Sequence, residues 1–150
     1  MRGGALVVAM VTLLGTVPCN AFDPSGVDII GLRLGMPEAQ IVLTMRQQGF
    51  AVAHDHGALI ATTRDGRLTV DLTDDRTAAR ILYVFAGRGN GEPDKIRASV
   101  IDRFGPPAQA KPMRWCEKVG SDGLCPDTAA SLMFAPESLS LLLRAGVTLP

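Results

Sequence analysis

The chain has 150 residues, the length of about one domain, with 15 basic and 15 acidic side chains and no net charge while histidine is neutral. That balance excludes the global basic field that drives nucleic-acid binding by counterion release, and aromatics at 5% leave few base-stacking platforms. A hydrophobic fraction of 47% excludes a disordered chain.

Residues 1–21, MRGGALVVAMVTLLGTVPCNA, have the layout of a secretory signal peptide. Arg2 supplies the positive start, an apolar core runs from Ala5 to Leu14, and Pro18 breaks it ahead of small residues. The pattern predicts cleavage after Ala21, with Cys19 and Ala21 at the small-residue positions. The apolar run is shorter than the roughly 20 residues of a membrane span, so no transmembrane anchor is expected in the mature chain. Acylation at Cys19 would want a small residue just before it, and Pro18 stands there instead. The expected location is periplasmic or secreted, with residues 22–150 forming a single domain.

Removal of the leader discards Cys19 and leaves Cys116 and Cys125. Two cysteines in an oxidising compartment read as one disulfide, closing the segment CEKVGSDGLC, whose glycines and Asp122 suit a tight loop. A redox pair would want Cys-x-x-Cys spacing and a zinc site further ligands nearby.

The first element of the mature chain is a helix opened by Pro37 and Glu38 and stopped by Gly49, with Ile41, Val42 and Met45 on one face. Phe50 to Ala53 is a short strand candidate. Ala58 to Thr63 and the alternating stretch through Leu68, Val70 and Leu72 read as a hairpin across Asp65-Gly66. Ala79 to Phe85 is a longer, more buried strand. After the glycine-rich connector GRGNGEP, a helix from about Pro93 to Phe104 carries Ile96, Val100 and Phe104 at helical spacing, and Gly105-Pro106-Pro107 stops it. Strand candidates follow at Pro112 to Cys116, Ala130 to Ala135 and Ser138 to Leu143.

A shift of 56 residues places Pro37 on Pro93, Glu38 on Asp94 and Gly49 on Gly105. Residues 28–86 and 87–150 are therefore candidate half-repeats, each helix first and strands after. The expected fold class is α+β, with helices packed on a largely antiparallel sheet.

Gly35-Met36-Pro37-Glu38 and Phe104-Gly105-Pro106-Pro107 resemble the opening and closing turns of β-lactamase-inhibitor-like and small outer-membrane lipoprotein domains. The resemblance spans about Asp28 to Leu143 and implies the fold and a protein-binding role. The sequence departs from the family pattern at Gly49, where Phe50 follows in place of a Gly-x-Pro close, and it lacks a credible lipoprotein cysteine.

Candidate chemistry is sparse. Gly87-Arg88-Gly89-Asn90-Gly91 lies between a strand and a helix, but Glu92 and Asp94 put carboxylates where a phosphate would sit, so it reads as a mobile connector. His54 and His56 would share one face of an extended strand and could bind a metal or small ligand; His54-Asp55-His56-Gly57 reads equally as an exposed turn. No Gly-x-Ser-x-Gly elbow or Ser-His-Asp pattern emerges, leaving a small hydrolase only if scattered residues assemble a site. Trp115 beside Cys116 reads as packed against the disulfide or as a contact for a partner, together with Glu117, Lys118 and Asp122 of the loop. The expectation is a non-catalytic protein-interaction module without a cofactor, its partner another envelope protein.

Overall fold

The computed structural model describes residues 22–87 and 92–147. The expected leader, residues 1–21, and the middle of the glycine-rich connector, residues 88–91, lie outside the described residues.

Helix α1 (Glu38–Gln47) is followed by β1 (Val52–Asp55), β2 (Ala58–Thr63), β3 (Gly66–Leu72) and β4 (Ala78–Phe85). Helix α2 (Glu92–Phe104) then precedes β5 (Gln109–Ala110), β6 (Met113–Cys116), β7 (Ser131–Ala135) and β8 (Ser140–Arg144). The C-terminal stop of α1 is built as its sequence predicts. Gly49 takes φ +80°, its N–H donates to the Arg46 carbonyl, and the Phe50 N–H donates to the Met45 carbonyl. This double closure satisfies carbonyls that the last turn leaves unpaired.

All eight strands join one antiparallel sheet in the order β1-β2-β3-β4-β8-β7-β6-β5. The expected α+β class is thereby corrected: strand accounts for 37% of the described residues and helix for 21%, and the architecture is β-dominated. Helix-capping signals are local and easy to read, whereas the pairing of β4 with β8, which fuses the two strand runs into one sheet, is set by contacts remote in sequence. Among the described residues, α1 and α2 contribute only Ile41, Met45 and Val100 as buried side chains.

Strand alternation gives the sheet two unlike faces. Leu59, Val70, Ile81, Leu143, Leu132 and Trp115 stand side by side across six strands, each partner opposite the next, and all are essentially inaccessible. They meet the buried faces of the helices and Val27, Ile29 and Leu32 of the N-terminal lead. This is the core.

The hairpins differ from their sequence reading in an instructive way. His56 and Gly57, at φ +43° and +85°, form the two-residue link between β1 and β2, the left-handed pair such tight turns demand. The β2–β3 link is Arg64-Asp65, one residue earlier than expected, because Gly66 already pairs with Thr63. A Cβ on Gly66 would lie 2.8 Å from the Tyr83 ring and closer still to the Val84 carbonyl. Gly66 is needed for close approach of two strands, not for a turn.

Candidate functional site

The residues singled out in the sequence do not gather at one place. Trp115 is 2% exposed. Its indole N–H donates to the Gly105 carbonyl at 2.9 Å, and its ring meets Phe104 edge-on. Adjacent strand residues face opposite sides, so Trp115 enters the core while Cys116 faces away from it. The tryptophan therefore packs against the end of α2. Glu117, Lys118 and Asp122 lie exposed on the loop closed by the Cys116–Cys125 disulfide, whose Cα atoms are 5.8 Å apart.

The two histidines diverge. His54 Nε2 meets Glu38 Oε1 at 2.9 Å, whereas His56 Nδ1 bonds its neighbour Asp55. Glu38, at the first turn of α1, is also gripped by Arg76, whose Nε donates to Oε2 at 2.5 Å and Nη2 to Oε1 at 2.6 Å. The Arg76 guanidinium is the main reason the Glu38 carboxyl titrates below its usual range; burial opposes it, and His54 adds to the lowering. Among the described residues, no group of three or more His, Cys, Asp or Glu side chains is arranged to hold a metal ion, and both histidines bond carboxylates rather than a serine.

The sheet face turned away from the core is chemically distinct. One row crosses it through Ile60, Thr69, Leu82, Leu142, Met133 and Arg114, each paired with the next. Ile60, Leu82, Leu142 and Met133 are partly exposed and stand outside the core cluster. A parallel row is charged. Arg80 and Arg144 lie opposite one another across the β4–β8 pair, and each turns to its own acid. Arg80 Nε meets Asp71 Oδ2 at 2.6 Å, and Arg144 faces Asp127.

At one end of this face the disulfide loop folds over β6 and covers Arg114, which is only 8% exposed. Its Nη1 donates to the Cys125 carbonyl at 3.3 Å and to Asp127 Oδ1 at 3.1 Å. Arg144 completes the cluster, donating from Nε to Ser131 Oγ at 3.2 Å and from Nη2 to the Asp127 carbonyl at 2.6 Å. The two guanidinia thus share one carboxylate, and that carboxylate is 92% exposed. A cavity of about 300 Å³ opens here between Arg114, Asp127, Ser131, Arg144 and the apolar side chains of Met133 and Leu142. Sequence reading missed this cluster. Its trace in the sequence is an arginine inside the otherwise apolar stretch Met113-Arg114-Trp115-Cys116; the fold buries that stretch on both faces, and a charge so placed must be paired.

No protein-family model, curated relative or solved structure matches the chain. Among the described residues, no helix is long and apolar enough to cross a membrane.

Proposed function

We propose that this protein is an exported, non-catalytic module of a bacterial cell envelope that binds another envelope protein through the open face of its sheet. The observation that carries the reading is the partly exposed apolar row Ile60, Leu82, Leu142 and Met133, crossing the sheet on the side away from the core. Apolar side chains flanked by the charged row of Asp71, Arg80 and Arg144 have the centre-and-rim layout of a protein interface. The buried disulfide fits an oxidising compartment, in keeping with the leader-like residues 1–21. The resemblance of the turn motifs to β-lactamase-inhibitor-like domains implies a role of the same kind.

The test is site-specific photo-crosslinking in cells. A crosslinker at position 82 is expected to give a discrete adduct that one at the exposed Gln47 of α1 does not, and Leu142→Lys is expected to abolish it. No adduct from position 82, or the same products from both positions, overturns the reading.

A further inference from the structure

We infer that the cleft between Arg114 and Arg144 is a carboxylate-binding pocket, occupied in the free protein by the chain's own Asp127. The inference rests on the interaction role proposed above and names the chemical group by which a partner is held.

Three observations converge on it. The first is an imbalance of hydrogen bonding. The Nε of Arg114 is buried and has no partner among the described residues, and a native fold rarely leaves such a donor without an acceptor. Among the described residues, Arg114 spends only Nη1, on Cys125 and Asp127, although a guanidinium presents five N–H donors in a fixed fork.

The second is charge. Arg114 and Arg144 together carry two positive charges against the single carboxylate of Asp127. With Asp127 in place the site keeps one net positive charge, which draws an anion in, and exchange of Asp127 for another carboxylate leaves that charge unchanged; the second arginine is held ready by Ser131 and the Asp127 carbonyl. An ion pair whose acid is almost fully solvated is easily opened, because water already supplies most of that acid's hydrogen bonds.

The third is shape. The cavity of about 300 Å³ has an apolar wall of Pro112, Met133 and Leu142 beside its polar end. A carboxylate on a short hydrocarbon stem fills both parts, whether it comes from a chain terminus or from an acidic side chain. Met133 and Leu142 also belong to the apolar row of the open face, so a ligand bound here is continuous with a protein lying across the sheet. Asp127 is then a tethered competitor that leaves when a better-placed carboxylate arrives.

Calorimetric titration of the oxidised chain with four peptides tests this. N-acetyl-trileucine with a free C-terminus is compared with its C-terminal amide, and a doubly blocked Ala-Glu-Ala with its Gln counterpart. At least one acid is expected to bind at least ten-fold tighter than its neutral partner, and which acid does so identifies the source of the carboxylate. Asp127→Ala is expected to tighten that binding several-fold by removing the competitor, and Arg144→Gln to weaken it at least ten-fold. Arg144 is the chosen arginine because Arg114 is buried and its loss could disturb the fold; circular dichroism verifies that both variants are folded. Equal binding of acids and neutral counterparts, or no binding by either the natural chain or Asp127→Ala, overturns the pocket. If the crosslink from position 82 persists in that event, only the carboxylate chemistry fails. If it is absent too, the interaction role fails with it.

Discussion

Glu38 and Arg76 form a two-point ion pair that ties the first turn of α1 to the link between β3 and β4, across 38 residues of sequence. The backbone repeats the tie, since the Glu38 N–H donates to the Arg76 carbonyl at 2.9 Å. Arg76 holds a left-handed φ of +60° to make both contacts, a conformation that a residue with a Cβ adopts at some cost. The pair has a definite pH signature. Its main cause, the Arg76 hydrogen bond, lowers the Glu38 pKa below the usual 4.5. A depressed carboxylate contributes its full stability above the unfolded-state value and loses it as pH falls through the folded-state value. The melting-temperature gap between the natural chain and Glu38→Gln should therefore be constant at neutral pH and close below about pH 4.5. A gap that persists unchanged to pH 3 contradicts this account.

Gly66→Ala is expected to destabilise the fold by about 1–3 kcal/mol, the usual cost of overpacking. The added methyl has no room against Tyr83 and the Val84 carbonyl, so β3 must move away from β4. Urea unfolding measures the loss. Alanine at Gly49 would also be destabilising, but for a different reason: nothing crowds its Cβ, and the strain is in its φ of +80°.

The Cys116–Cys125 bridge closes a short loop, and its removal by Cys125→Ser should cost roughly 2–3 kcal/mol by loop-closure entropy. The bridged Cys125 and Asp127, two residues beyond it, are the acceptors for Arg114. Loss of the bridge is thus expected to loosen that cluster, seen as faster amide exchange in residues 117–130. Stability unchanged by the substitution would show that the loop holds its course without the bond.

Trp115, the single tryptophan, reports on the core directly. Its burial and the bond to Gly105 predict a blue-shifted emission that resists acrylamide and moves to the red on unfolding. Trp115→Ala should cost about 3–5 kcal/mol, the range for a large aromatic lost from a core. Red-shifted, readily quenched emission from the folded protein would place the ring at the surface.

Much of the local structure was legible. Pro37 and Gly49 bracket α1, Leu68 and Val70 mark the inward face of β3, and the cysteine count yields the bridge. These follow from signals a few residues long. What escaped depends on contacts between distant segments. The union of β4 with β8 decides the fold class, yet neither strand carries a mark of its partner. Gly66 looked like a turn residue because Asp-Gly is a strong hairpin signal, and only the third strand reveals why a side chain is forbidden there. The Arg114–Asp127–Arg144 cluster was hidden for the same reason: its members come from β6, β8 and the loop between β6 and β7.

The two margins of the sheet bear on how it can be approached. At one border β5 is only two residues long; at the other β1 has four and ends in His54 and Asp55. Short borders and polar borders are poor templates for an incoming ladder. A visitor that tries to extend the sheet by backbone pairing finds little to copy. Recognition must then come from side chains standing off the broad surface, and the same terminal strands guard the protein against stacking edge to edge into fibres.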